Sequence, residues 1–136
     1  QAQDAEMAAR IAEHQARRGP RWTTVEEPLD LIAALQATAL ADGALLVDCL
    51  TLWVSNLMLA ERDVAAEQAA LLSRLPQLAG PVVFVSNEVG LGIVPMNKMA
   101  RDFRDHAGRL NQAIARIADR VDFLAAGLVM PLKRPC

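Results

Sequence analysis

A histidine with arginines on both sides lies in the first predicted helix, which covers residues 4–18. Arg10 precedes His14 by about one helical turn, Arg18 follows it by about one turn, and Arg17 lies near the same side. Guanidinium groups bind phosphate oxygens, and a neutral imidazole is a good nucleophile toward an activated phosphorus. The pattern therefore indicates nucleophilic chemistry on a phosphate, although a half-buried helix histidine among solvated arginines has the same pattern.

A polar loop follows the strand predicted at Val82 to Val85 and leads into a long helix. The loop carries Asn87, Glu88 and two glycines, Gly90 and Gly92. In open parallel sheets, small molecules bind just beyond the carboxyl ends of the strands. The loop is therefore a candidate substrate site with Asn87 and Glu88 as its polar contacts, and an ordinary strand-to-helix connection is the alternative.

A carboxylate, Asp48, stands at the carboxyl end of the apolar strand predicted at Leu45 to Val47. Mg²⁺ that acts on nucleotides prefers one or two carboxylates together with phosphate oxygens. Asp48 is therefore a candidate magnesium ligand. Its alternative role is to cap the helix predicted to begin near Thr51, and the two roles are compatible.

A further acidic candidate, Glu26, follows the short strand or extended segment predicted at Trp22 to Val25. A carboxylate at this position can accept hydrogen bonds from a base or a ribose. The run Glu26-Glu27-Pro28 is also a common entry to a helix. The residues by themselves favour the helix entry.

Apolar strands alternate with amphipathic helices along the chain, which predicts an α/β fold with a mostly parallel sheet flanked by helices. The helix after the polar loop has the clearest period. Its predicted packing face consists of Met96, Met99, Phe103, Ala107, Leu110, Ile114 and Ile117. The other predicted elements are helices at residues 28–40, 51–59 and 63–79 and a final strand at Val121 to Ala125, followed by an extended tail.

Length and composition are those of a single domain, residues 1–136, that can bury a core. The net charge of −2 and the scattered basic residues give no stripe for a nucleic-acid backbone. No apolar run approaches the roughly 20 residues that cross a bilayer. The two cysteines, Cys49 and Cys136, have neither metal-ligand nor disulfide spacing, which favours a reducing, cytoplasmic location.

Five segments of the sequence together resemble one family. They are residues 4–14, 22–26, 46–57, 86–95 and 103–112, and they occur in order over nearly the whole chain. The family is the bifunctional adenosylcobinamide kinase/adenosylcobinamide-phosphate guanylyltransferase of cobalamin biosynthesis. Five motifs at plausible spacing are far more specific than any one of them.

The resemblance implies a P-loop NTPase-like fold, a homotrimer and two successive reactions at one nucleotide site. ATP or GTP first phosphorylates the aminopropanol hydroxyl of adenosylcobinamide. A histidine then attacks the α-phosphorus of GTP, and the guanylyl-histidine passes GMP to the new phosphate, which yields adenosylcobinamide-GDP. The family's guanylylated histidine falls on His14. Its guanine-nucleotide contacts fall on Gln15, Ala16, Arg17, Arg18, Glu26 and Asp48.

The sequence departs from the family at one motif. Members begin with a strand, a G-x-x-x-x-G-K-[ST] loop and a helix, and this sequence contains no such loop. The expectation is therefore a chain that lacks the first strand-loop-helix unit and is impaired by itself. The alternatives are a catalytically inactive oligomerisation or cobinamide-binding module of the same fold, and a different P-loop kinase.

Overall fold

Helices and strands alternate along the part of the chain that the computed structural model describes, which comprises Ala12, Glu13, Ala16 and residues 19–135. The three described residues of the predicted first helix are helical. The elements that follow are α1 (Leu31–Thr38), β1 (Leu45–Asp48), α2 (Leu50–Leu59), α3 (Val64–Arg74), a 3₁₀ turn (Leu75–Gln77), β2 (Val82–Val85), α4 (Lys98–Ile117), β3 (Val121–Ala125) and β4 (Leu128–Lys133). None of the helices described is long and apolar enough to span a membrane.

Most of the predicted elements are confirmed, and the differences have local causes. The helix predicted at residues 63–79 is α-helical only to Arg74, because Pro76 has no N–H for the helical ladder and its ring crowds the preceding turn. Of the two alternatives at Trp22 to Val25, a short strand or an extended segment, the strand does not form. Met96 was wrongly placed on the packing face of the long helix, since α4 begins at Lys98 and Met96 is 99% exposed.

The strands β1 and β2 pair in parallel, with Leu45 opposite Val82 and Asp48 opposite Val85. Burial alternates along both strands, as the period of two in a strand requires. The inner face packs on the core, whereas the outer face leaves Leu46 44% exposed and Val83 54% exposed. Only one face of this parallel pair is therefore covered by the residues that the structure describes.

The last two strands form a separate antiparallel hairpin, in which β3 pairs with β4. Ala126 and Gly127 join them with φ of 53° and 74°. Positive φ at both central residues is the geometry of a type I′ turn, which returns the chain antiparallel to itself. The expectation of a mostly parallel sheet is corrected accordingly: within the described residues the α/β fold contains one parallel pair and one hairpin.

The core lies between the helices and the inner face of β1 and β2. Its buried members all come from the four helices: Leu35, Leu50, Trp53, Val54, Leu57, Val64, Leu71, Leu110 and Ile114. Trp53 Nε1 donates to the carbonyl oxygen of Leu29 at 2.8 Å, so the polar atom of this buried ring is satisfied. Helices α2 and α4 contribute most of the buried volume, and both also border the ends of the parallel strands.

A close approach of backbone at Gly80 brings the start of β2 against the turn before β1. Gly80 has φ +76°, and a Cβ there would meet Leu40 O and lie 2.6 Å from Gly43 O. The next residue, Pro81, accepts a hydrogen bond from Leu45 N at 3.0 Å. A residue without a side chain at position 80 is therefore required for the two strands to begin side by side.

We expect Gly80→Ala to destabilise the protein more than Gly127→Ala. Both glycines have positive φ, for which a Cβ costs about 1–2 kcal/mol. Only Gly80 has backbone oxygens where the Cβ would lie, whereas nothing lies within 4 Å of a Cβ at Gly127. Urea unfolding of the two variants measures the difference, and equal losses would contradict the close approach.

A second stability prediction concerns Leu71, which is 0% exposed in the core. Leu71→Ala should cost about 2–5 kcal/mol of unfolding free energy, because it removes buried methyl groups and leaves a cavity. The control is Leu59→Ala at the end of α2, where the side chain is 67% exposed and the loss should stay within about 0.5 kcal/mol. Thermal and urea unfolding of the pair test whether the core lies where the structure has it.

Candidate active site

The carboxyl ends of β1 and β2 meet at one edge of the parallel pair. Asp48 lies opposite Val85 in the register, and adjacent strands are about 4.8 Å apart. The chain continues from there into Cys49 on one side and into Ser86 and Asn87 on the other. We call Asp48, Cys49, Ser86 and Asn87 the carboxyl edge. The predicted magnesium ligand and the predicted substrate loop are thus brought together.

Hydrogen bonds join the two sides of the carboxyl edge through Thr51, in the first turn of α2. Asn87 Nδ2 donates to Thr51 Oγ1 at 2.9 Å and lies 3.7 Å from Cys49 Sγ. Cys49 Sγ and Thr51 Oγ1 also share a hydrogen bond of 2.9 Å. Thr51 is only 5% exposed, so its hydroxyl is a buried polar group with two partners.

The long helix α4 contacts the same edge through Asn111. Ser86 Oγ donates to Asn111 Oδ1 at 2.7 Å, and Asn111 Nδ2 donates to the backbone oxygen of Asn87 at 3.2 Å. The sequence reasoning did not single out Asn111 or Thr51 as site residues. The signal available in the sequence was that Asn111 is a polar residue directly after Leu110, a member of the packing side of α4. In the structure Leu110 is 1% exposed.

The rest of the loop between β2 and α4 is held by hydrogen bonds between side chains and the loop backbone. Glu88 Oε1 accepts a hydrogen bond from Gly90 N at 3.1 Å. At the other end, Arg101 Nη1 donates to the carbonyl oxygens of Pro95 and Met96 at 3.0 and 2.6 Å. Asn97 caps α4 by accepting from Ala100 N at 3.0 Å. The loop is therefore tied down at both ends.

Between these ties the loop presents apolar side chains. Leu91 is 79% exposed and Ile93 is 97% exposed. Nearby, between α2 and the start of α4, a shallow depression of about 220 Å³ is lined by Ser55, Met58, Asn97, Met99, Ala100 and Phe103. The loop that carries the polar candidates Asn87 and Glu88 thus also offers an apolar surface.

Among the residues predicted from the first helix, the structure describes only Ala16, which is helical and exposed. His14, Gln15, Arg17 and Arg18 lie outside the described residues. Their predicted roles as nucleophile and nucleotide contacts stay predictions.

Glu26 is exposed and makes no hydrogen bond to the residues that the structure describes. The entry to α1 is held instead by Glu27, whose Oε1 accepts from Leu29 N at 3.0 Å and from Asp30 N at 2.9 Å. The helix-entry role that the sequence suggested for the Glu-Glu-Pro run therefore belongs to Glu27. A ligand contact by Glu26 stays a prediction.

Asp48 is exposed at the carboxyl edge. It is not the N-cap of α2, because that position is taken by Cys49. No group of three or more histidine, cysteine, aspartate or glutamate side chains converges anywhere in the described ranges. A single carboxylate at a strand end fits Mg²⁺ that is held mainly by nucleotide phosphates and water, and does not fit a metal held by protein ligands alone.

Two neighbouring charges of α4 are engaged with each other rather than with the carboxyl edge. Lys98 Nζ lies 2.5 Å from Asp102 Oδ2. The hydrogen bond from Lys98 is the main reason that the pKa of Asp102 lies below its ordinary value. Asp102 is thus a charged, paired carboxylate at neutral pH.

Comparison with known proteins gives consistent matches over nearly the full sequence. The family model of cobinamide kinase/cobinamide phosphate guanyltransferase matches residues 1–132. A bifunctional adenosylcobalamin biosynthesis protein of Pseudomonas aeruginosa is 53% identical over 135 residues, which are 98% of this chain and 78% of that protein. Proteins of the same description from Salmonella typhimurium and Escherichia coli are 38% and 35% identical over 145 residues, covering 96% of this chain and 80% of each relative.

These matches cover every candidate site residue, from His14 to Glu88. Identity of this level over nearly the whole chain is accompanied by a shared fold. The chain therefore belongs to the cobinamide kinase/cobinamide phosphate guanyltransferase family of transferases.

Proposed function

We propose that this protein phosphorylates adenosylcobinamide and then transfers GMP from GTP to adenosylcobinamide phosphate, giving adenosylcobinamide-GDP. The observation that carries the proposal is the family match over residues 1–132, the range that contains all the candidate residues. The carboxyl edge supports it, because Asp48 and Asn87 lie at the place where parallel strands bind nucleotides and their acceptors.

In the kinase step, the hydroxyl oxygen of adenosylcobinamide attacks the γ-phosphorus of ATP or GTP. A new P–O bond forms, the bond to the nucleoside diphosphate breaks, and the hydroxyl proton passes to solvent. Catalysis of this kind depends on position and on charge neutralisation more than on covalent chemistry by the protein. A site with one carboxylate and fixed polar side chains is suited to both.

In the guanylyl-transfer step, an imidazole nitrogen of His14 attacks the α-phosphorus of GTP, a P–N bond forms and pyrophosphate leaves. A phosphate oxygen of adenosylcobinamide phosphate then attacks the same phosphorus, and the P–N bond breaks to restore the imidazole. Division of one difficult transfer into two easier ones is the general advantage of a covalent intermediate. We assign contacts with the guanine nucleotide to Gln15, Ala16, Arg17, Arg18 and Glu26.

We assign Asp48 to Mg²⁺ and the loop of Asn87 and Glu88 to the cobinamide substrate. When bound, Mg²⁺ would neutralise charge on the phosphate oxygens. The exposed apolar side chains of the loop, Leu91 and Ile93, support the assignment, because a corrin ring carries many methyl groups that can contact them. Glu88 holds a turn of this loop through Gly90 N and thereby shapes it.

The proposal also includes a P-loop NTPase-like fold, a homotrimer and a cytoplasmic location. The outer face of β1 and β2, which the described residues leave uncovered, supports assembly, since parallel sheets are ordinarily covered on both faces. Light scattering should give a particle of three chains. The sequence contains no G-x-x-x-x-G-K-[ST] loop, and the assays use the protein as its gene encodes it.

Incubation with GTP labelled at the α-phosphate should radiolabel the protein, and His14→Ala should reduce the label to background. The label should be lost in acid, because a phosphoramidate is acid-labile. His106→Ala is the matched control, since His106 is the second of the two histidines in the chain. Label on the His14→Ala protein equal to that of the wild type would refute the nucleophile.

The same assay separates the enzyme from the inactive module. An inactive cobinamide-binding or oligomerisation module would assemble normally but show neither the label nor phosphorylation of adenosylcobinamide. That result with the wild-type protein would overturn the proposed function.

Asp48→Asn should lower the rate of the kinase step and raise the Mg²⁺ concentration needed for half-maximal rate. The rate of the kinase step should fall at least about 10- to 100-fold, which is the usual loss when a group that supports a bound metal is removed. The matched control is Asp42→Asn, an exposed aspartate in the turn that precedes the same strand. A magnesium titration of both variants measures the effect. An unchanged magnesium dependence for Asp48→Asn would exclude the assignment.

A further inference from the structure

We propose that Thr51 and Asn111 are positioning residues that hold Asn87 in place for the kinase step. The inference deepens the proposed function and rests on it, since it concerns the residue assigned to the cobinamide substrate. Neither residue touches the reacting atoms in this proposal. Both act through Asn87.

Thr51 fixes the side chain of Asn87. Its hydroxyl lies 2.9 Å from Asn87 Nδ2 and 2.9 Å from Cys49 Sγ. Thr51 itself cannot shift easily, because it is buried in the first turn of α2 and its neighbour Leu50 is 1% exposed in the core. A well-packed helix thus carries the hydrogen-bond acceptor that orients the amide group.

Asn111 fixes the backbone of the same residue. Its Nδ2 donates to the Asn87 carbonyl oxygen at 3.2 Å, and its Oδ1 accepts from Ser86 Oγ at 2.7 Å. Asn111 follows Leu110, which is 1% exposed. The core therefore anchors this second support as well, from a different helix. Asn87 is held from its side chain by α2 and from its main chain by α4.

These contacts leave one polar side-chain atom of Asn87 for a ligand. Asn87 is exposed, and its Oδ1 makes no hydrogen bond to the part of the chain that the structure describes. A carbonyl oxygen of an amide accepts hydrogen bonds from hydroxyl groups. A fixed acceptor beside Asp48 can hold the substrate alcohol in line with the phosphorus, and loss of such alignment lowers rate more than binding.

The first test compares Thr51→Val with Thr51→Ser. Valine keeps the branched shape and removes the hydroxyl, whereas serine keeps the hydroxyl. We expect Thr51→Val to lower kcat of adenosylcobinamide phosphorylation about 10-fold, with the KM for nucleotide changed less than about 2-fold. Thr51→Ser should keep most of the wild-type kcat, because it keeps the hydroxyl. Equal kcat for Thr51→Val and the wild type would overturn the proposal.

A double-mutant cycle with Asn87→Ala tests whether Thr51 acts through Asn87. If it does, Thr51→Val should cause no further loss of kcat once the Asn87 side chain is gone, since contacting residues are non-additive. Additive losses would mean that Thr51 supports the fold in general, and they would overturn the proposal. Melting temperatures of the same variants separate loss of stability from loss of position.

A second pair of variants keeps the proposal testable if Thr51→Val fails to fold. Asn111→Asp retains the oxygen that accepts from Ser86 and removes the N–H that donates to the Asn87 carbonyl. Gln112→Glu is the matched control, because it makes the same amide-to-acid change at the adjacent exposed residue. We expect kcat to fall for Asn111→Asp and to stay at the wild-type value for Gln112→Glu. Equal kcat values for the two variants would overturn the proposal.

The two proposals fail in different ways. A wild-type protein without kinase or guanylyl-transfer activity would overturn the proposed function. A wild-type protein with both activities, but with kcat unaffected by Thr51→Val and by Asn111→Asp, would overturn only the positioning role.

Discussion

The parallel register of β1 and β2 is the constraint on which the site depends. Backbone pairing sets Asp48 opposite Val85, so the residues that leave both strands start from one edge. The register follows from the other end of the pair, where Gly80 lies against the turn that precedes β1. A slip of one residue would move every side chain of a strand to the opposite face. It would turn Leu46 toward the core in place of Leu45 and move Asp48 out of line with Val85.

The helices that build the core also carry the polar supports of the site. In α2, Thr51 stands next to Leu50, and in α4, Asn111 stands next to Leu110. Protein interiors pack as densely as organic crystals, so neighbouring positions on such helices have little freedom to move. Rigidity at the carboxyl edge is thus a consequence of core packing. The loop from Ser86 to Asn97 follows the same logic, because Asn111 holds its first residues and Arg101 its last ones.

The surfaces around the carboxyl edge divide by chemistry. The edge itself is polar, whereas the loop beyond it and the outer face of the parallel pair expose apolar side chains such as Ile93 and Val83. A large substrate with a charged or hydroxylated end and an apolar ring would match the polar carboxyl edge and the apolar loop beyond it.

The sequence by itself determined the elements and the chemical types at the site. Short continuous apolar runs located β1 and β2, and a helical period located α4, because burial of one face of a helix leaves that signature in the order of residues. Local signals also placed Asp48 and Asn87 at strand ends and gave the family through five motifs. Tertiary structure alone decided that β3 turns back onto β4, that Glu27 and not Glu26 holds the entry to α1, and that Thr51 and Asn111 meet at Asn87. The hydrogen bonds of Thr51 and Asn111 with Asn87 join residues 36 and 24 positions apart, and no local pattern encodes which distant side chain completes a hydrogen bond. The hairpin and the Glu27 contacts are local, but the residues around them also allowed an extended tail and a role for either glutamate.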